Sequence, residues 1–365
     1  MLIDHPGSWQ QFQYRPDNKN LSVMEMKSKY LHEQYLFEAQ MNTLNQMHQQ
    51  NAFMNGSGGG PTPSSEPTPP PPSYATELRL EFNNDLQSVE IDFGVDPRSL
   101  STWNAKFPNA EFESIEINTT NAYAPIITLK GNTVNGGQIG DQAFTNRTTI
   151  STLRDINANC IIETAGTESF NQSSIVYVDL GALTTLNTIA FDSCTSLTSA
   201  YLPSLVSTNN GTDTGATFRG CINLADVNFD SLERVGDYTF YDCQSLIDFE
   251  NSFRALAEVG LFSFSRSGID AVSSSTLTDI GISAFNRCNS IRSITLTSTD
   301  PIIINKGAFE ECISLDSITT VGATTLDGIE IFLNTAVSGI YNFQGGVTDN
   351  GANIAYLTSR GWIPA

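Results

Sequence analysis

The stretch Phe285-Asn-Arg-Cys288-Asn-Ser-Ile291-Arg-Ser-Ile294 returns 24 residues later as Phe309-Glu-Glu-Cys312-Ile-Ser-Leu315-Asp-Ser-Ile318. A Phe is followed at three, six and nine positions by Cys, a branched aliphatic residue and Ile. The same spacing starts at Phe191 (Cys194, Leu197, Ala200), Phe218 (Cys221, Leu224, Val227) and Phe240 (Cys243, Leu246, Phe249). A copy one residue shorter, with Ser or Thr in the Cys place, starts at Phe170, Phe264 and Phe332, and Phe144 opens a degenerate one. From Phe144 to Phe332 is 188 residues in eight steps, a mean period of 23.5. A fixed period of this size marks an array of stacked units.

No such unit can bury its apolar face alone, so neighbours must stack, with the Phe residues in one buried column and the Leu and Ile residues in another. The segment beginning six residues after each Phe alternates like a short strand, and stacking in register makes a parallel sheet along one face. The expected fold is a β-rich solenoid over residues 139–342. A poorly matching copy at Phe107, with Phe112, Ile115 and Ile117, falls in an N-terminal β cap over 74–138. There the alternating runs Leu78-Leu80-Phe82 and Val89-Ile91-Phe93 read as added strands. A C-terminal cap, 343–365, carries a short helix from Asn353 stopped by Gly361, with Trp362 as a plug.

Composition changes upstream of Tyr74. Residues 55–73 are a Gly- and Pro-rich linker, semi-rigid through its prolines. Residues 1–54 read as an anchor: an extended peptide with Trp9, Phe12 and Tyr14, then a helix from Val23 to about Phe53 opened by the capping box Ser22/Glu25. Tyr30, Phe37 and Leu44 recur at a spacing of seven with Met41 between, a weak heptad. A stripe of this kind, tethered beyond a linker, has no core of its own chain to join. It suits docking into other proteins of an assembly, or bundling with further copies of the chain; the alternative is an amphipathic helix disordered by itself.

The chain has 39 acidic and 18 basic residues, a formal charge of −21. Six acids and four bases precede Tyr74, so the tail and linker sum to −2 and the remainder to −19. A hold on nucleic acid or on anionic lipid needs clustered Lys and Arg and is not expected. All three His residues and all six Met residues lie in the first 54 positions, which removes His-based triads and metal sites from the rest. No Cys pair has zinc-site spacing, so no metal or cofactor is expected. There is no apolar run of membrane-spanning length and no signal-peptide pattern at the start. Five of the six cysteines share one repeat position and read as buried reduced thiols, with a Cys221–Cys243 bridge between adjacent coils as the alternative. Cys160 stands outside the pattern.

In the strand register, the positions flanking each inward residue face solvent. The ladder so formed includes Tyr177, Asp179, Tyr201, Asp226, Asn228, Asp248 and Glu250, an aromatic and acidic surface able to stack a sugar ring or receive a basic patch. The alternative is a merely solvated face. Catalysis by these carboxylates is not expected, because glycoside hydrolysis needs two of them about 5–9.5 Å apart in a site that excludes water.

The segments Gly140-Asp-Gln-Ala-Phe144, Gly236-Asp-Tyr-Thr-Phe240 and Gly281-Ile-Ser-Ala-Phe285 resemble the BspA-type leucine-rich repeats of bacterial and protist surface proteins. The resemblance spans roughly residues 139–342 and implies adhesion and binding of protein or glycan. The order of aromatic peptide, helix, Gly/Pro spacer and repeats is also similar to fibre or decoration proteins of tailed bacteriophages. Secreted members of the repeat family carry a signal peptide, so the layout points to a virion structural protein that displays its repeats toward a host surface or the capsid. A cell-surface adhesion module and an intracellular interaction scaffold are the alternatives.

Overall fold

A computed structural model describes residues 76–131, 137–156, 162–208 and 215–365. The chain divides into two compact units, Met1–Pro72 and Ser73–Ala365, and the description concerns the second. It is a parallel-strand solenoid of nine coils centred on Phe144 to Phe332.

Each coil is built about its Phe. The ring is buried, and the residues two before and two after it adopt the left-handed conformation in every coil, from Gln142 (φ 53°) and Asn146 (φ 58°) to Glu330 (φ 65°) and Asn334 (φ 59°). This double left-handed turn aims three N–H groups at the next coil. Gln142, Phe144 and Asn146 donate to the carbonyls of Thr167, Ser169 and Asn171 at 2.9, 2.7 and 2.9 Å. The triplet recurs at every step, ending with Gly307, Phe309 and Glu311 on Ile329, Ile331 and Leu333. Backbone groups that a tight buried turn would leave orphaned are thereby paired.

The rings lie in one stack. Successive centroids from Phe144 to Phe332 are 4.7–6.0 Å apart and successive planes within 18° of parallel. At that separation the rings are offset, the arrangement their quadrupoles favour. The Cys column runs beside it. Cys194, Cys221, Cys243, Cys288 and Cys312 are free, fully buried thiols. Each donates to the carbonyl of the Phe one coil earlier, at 2.9, 3.1, 3.2, 2.9 and 3.1 Å in that order. Burial pushes the Cys288 thiol up to about 11 and raises those of Cys243 and Cys312 as well. Cys160 lies outside the described residues.

The Gly four residues before Phe has a steric cause. A Cβ on Gly281 would stand 2.6 Å from the Val259 carbonyl oxygen, and one on Gly260 would stand 2.5 Å from the Asp237 carboxylate. At these two positions the neighbouring coil leaves no room for a side chain, whereas Asn187 and Asn305 fill the same place before Phe191 and Phe309.

Two β faces result, where the repeat spacing predicts one. The face after the Phe turn carries a seven-stranded sheet and a five-stranded sheet. The other face, just before the turn, carries a three-stranded and a six-stranded sheet, bridged through Ser207 to Thr185 and Arg234. Most of its strands in the middle of the array, such as Glu258–Val259 and Asp279–Ile280, are two residues long. So short a strand has no periodicity for a sequence pattern to register.

At the N-terminal end Thr76–Phe82 is a strand, antiparallel to both Ile126–Gly131 and Ile150–Asp155. Val89-Ile91-Phe93 is not a strand. Leu86–Phe93 forms a helix, capped by the Asp85 carboxylate on the Ser88 N–H at 2.8 Å and ended by left-handed Gly94. Val89 and Phe93 face the core while Ile91 is 76% exposed. Positions i and i+4 fit a helix as well as an alternating strand, and the cap residues decide. Phe93 and Phe107 close the ring stack on Phe144 at 6.0 and 5.7 Å. At the other end the helix Asn353–Ser359 is followed by Gly361 (φ 88°) and by buried Trp362, whose Nε1 donates to the Ala336 carbonyl at 3.0 Å.

Phe264 sits 5.2 Å from both Phe240 and Phe285, so Phe264→Ala opens a gap in mid-stack. The expected loss is about 3–5 kcal/mol by urea denaturation; a loss below about 1 kcal/mol would show that the stack does not carry the fold. Native protein should resist alkylation at all five column thiols and take label there only after unfolding. Rapid labelling of any of the five in the native state would disprove their burial.

Candidate functional site on the first sheet face

Strands Tyr177–Asp179, Ser199–Tyr201 and Asp226–Asn228 pair in parallel register, Tyr177 with Ser199 and Ser199 with Asp226, Asp179 with Tyr201 and Tyr201 with Asn228. Val178 and Ala200 point into the core, so their neighbours face out. Register thus sets five of the seven sequence-derived residues side by side, with strands about 4.8 Å apart. Tyr177 donates its hydroxyl proton to the Asp179 carboxylate at 3.2 Å, and Tyr201 is 44% exposed.

Asp248 and Glu250 are not part of this ladder. The chain leaves the sheet there as the helical turn Phe249–Ser252, and Asp248 is its cap, accepting from the backbone N–H and side-chain amide of Asn251 at 3.0 and 2.8 Å. Phe249 and Phe253 explain the break. A strand would hold them about 13 Å apart, whereas one helical turn brings the rings to 5.3 Å and sends both inward. Phe253 packs on Phe229, Phe240 and Phe264, and Phe249 on Phe264 and Phe285. Glu250, in the first turn, lies on a helix that splits the face into its two sheets.

The face extends the other way, into residues the repeat spacing does not single out. Strand Ile150–Asp155 pairs Thr152 with Tyr177 and Arg154 with Asp179. Thr76–Phe82 then sets Arg79 beside Arg154 and Glu81 beside Thr152. Arg79 bridges to Glu81 at 2.9 Å, and Lys130 to Glu116 at 2.8 Å and Glu77 at 3.6 Å. The acidic and aromatic patch therefore borders a strip of alternating charge. Antiparallel pairing lies outside any tandem repeat, which is why the spacing does not reveal it.

Asp179 is the perturbed group of the face. Burial pushes its carboxyl up to about 6, against the Tyr177 hydroxyl and the Arg154 charge, which favour the ionised form, while Asp155 adds to the rise. Among the described residues no group of three or more His, Cys, Asp or Glu is placed to hold a metal ion, and no helix is long and apolar enough to cross a membrane. The anchoring candidates Trp9, Phe12, Tyr14, Tyr30, Phe37, Met41 and Leu44 lie outside the described residues.

The model of the BspA type leucine rich repeat region matches in six copies, over residues 105–247 and 214–338. The chain belongs to the BspA-type leucine-rich-repeat family. Similar solved structures include a leucine-rich-repeat protein of T. pallidum, 20% identical over 59% of this chain and 85% of that one, with a TM-score of 0.32. A leucine-rich repeat protein from Bacteroides ovatus is 16% identical over 60% and 73%, TM-score 0.34. A leucine-rich cell surface protein from Faecalibacterium prausnitzii is 12% identical over 67% and 88%, TM-score 0.28. No curated protein matches the sequence.

Asp179 gives the face a pH signature. The folded state binds its proton more tightly than the unfolded chain, so stability falls as pH rises from about 4 to about 6. Asp179→Asn removes that penalty while keeping an acceptor for Tyr177. Urea midpoints should show the variant equal to the parent near pH 4 and more stable by up to about 3 kcal/mol above pH 6. A difference that does not change with pH would refute the raised carboxyl.

Proposed function

We propose that the chain is a non-enzymatic structural and binding protein. In this reading residues 1–54 dock it into a larger assembly, with further copies bundling through the helix, residues 55–73 set a distance, and the repeat array is displayed outward. The observation that carries it is the division of the chain at Pro72/Ser73, next to a Gly/Pro stretch and between units of unlike composition and charge. The displayed face brings Tyr177, Asp179, Tyr201, Asp226 and Asn228 together, a ledge for a host-surface glycan or protein.

The assembly favoured by the layout is a bacteriophage particle, in which the chain is a fibre or decoration protein. Membership of the BspA-type repeat family favours a second reading, an adhesion module at a cell surface. Mass spectrometry separates the two: purified particles should contain the chain, and its recovery in washed cell envelopes but not in particles would reject the virion reading. Deleting residues 1–54 should abolish incorporation and leave a folded array; particles that keep the truncated protein would rule out the anchor. Charge reversal at Asp226 should weaken adhesion to host cells at least several-fold, and unchanged adhesion would remove the sheet face from the binding surface.

A further inference from the structure

We propose that the turn edge of the coils centred on Phe240 and Phe264 is a carbohydrate-stacking subsite for neutral hexopyranose units. It is separate from the sheet face, and it stands whichever assembly carries the chain.

The argument starts from residue choice at the left-handed positions. Nine coils with two such positions each give eighteen, and all but two hold Gly, Ala, Ile or a polar or charged side chain. The two exceptions are Tyr238 (φ 53°) and Phe262 (φ 51°). A bulky aromatic residue in this conformation is an outlier that the fold must hold in place at a cost. Burial recovers that cost only in part, because the column is already filled by Phe240 and Phe264, Phe262 is half-buried and Tyr238 remains 36% exposed. The two rings stack on each other outside the core, 5.3 Å apart and 21° from parallel. Tyr241 stands 6.0 Å from Tyr238, and the Arg266 guanidinium lies 5.7 Å over the Tyr241 ring.

The same row continues with Ala216 on one side and Ser283 on the other. Neither side chain is large enough to cover the outer face of a ring. Both are themselves nearly buried, and the accessible part of the pair is the Tyr238 ring, 36% exposed, against which a flat body with an apolar face can lie. Around it are hydrogen-bonding groups: the tyrosine hydroxyls, Arg266, and the Asp242 carboxylate held by the Gln244 amide at 2.9 Å. A pyranose ring matches both requirements, with C–H bonds on its face and hydroxyls on its rim, and tyrosine offers an apolar body with a polar tip. A nucleobase within a polyanion would meet a chain of charge −21. An aliphatic peptide would leave the surrounding charged and amide groups without partners.

The test is saturation-transfer NMR on the full chain with maltohexaose, cellohexaose, chitohexaose and mannohexaose. At least one should receive saturation on its ring protons. The double variant Tyr238→Asn/Phe262→Asn, whose Asn residues favour the left-handed turn, should keep the parent circular-dichroism spectrum and bind at least tenfold more weakly. Saturation of none of the four sugars, even where a neutral tryptophan-rich peptide does bind, would overturn the proposal, as would undiminished binding by the folded double variant. The sheet face remains intact in this variant, so adhesion lost through Asp226 and stacking lost through Tyr238 and Phe262 are read separately.

Discussion

The fold depends on one contact repeated without interruption, a phenyl ring stacked on the phenyl ring of the next coil. Every coil holds two left-handed residues around its Phe, and outside glycine that conformation costs roughly 1–2 kcal/mol per residue. Only Gly220 and Gly307 relieve it at these positions. What offsets the strain is what the turn makes possible: a fully buried ring, worth about 1.5–3 kcal/mol by burial, the stacking added to it, and three N–H groups delivered to the neighbouring coil. The Cys thiol completes the arrangement by meeting the Phe carbonyl of the coil before. Ring, turn and thiol are one device, which is why they recur together in the sequence.

The stack also fixes where function can lie. With coil spacing set by ring against ring, side chains on the sheets and along the turn edge are placed by register. Residues at one repeat position in successive coils become a row, as with Asp179, Tyr201 and Asn228. Such a scaffold offers rows and ledges, and few clefts. It can change a surface residue at little cost to the core, since the inward positions and the turn carry the folding free energy.

The repeat was legible because its determinants are large, buried and periodic: Phe, Cys and the branched residues that follow. The second face was not, because strands such as Glu258–Val259 are too short to alternate. The helix at Leu86–Phe93 was misread for a related reason. Val89 and Phe93 satisfy both periodicities, and the signals that choose between them, Asp85 and Gly94, lie at the ends of the run. The register of the sheet-face ladder was legible where the repeat is regular, at Tyr177 to Asn228. It failed at Asp248 and Glu250, where Phe249 and Phe253 demand a helical turn, and it missed Arg154, which the degenerate Phe144 coil brings beside Asp179 in parallel pairing, and Arg79, which reaches the face through antiparallel pairing.

The seam at Phe249–Ser252 shows how far a repeat array can depart from its rule without losing its core. Sheet pairing is interrupted on that face, yet the ring stack passes through unbroken, with 5.4, 5.2 and 5.2 Å between Phe218, Phe240, Phe264 and Phe285. The sheet face is thus the replaceable part of each coil and the Phe turn the obligatory one. Two further rings, Phe249 and Phe253, fill the space that the missing strand leaves. The irregular coil is the one after Phe240, the coil that also carries Tyr238 and Tyr241 on its outer edge. Aromatic residues are concentrated there on both sides of the backbone: inside, where they repair a break in the sheet, and outside, where no packing demand of the core accounts for them.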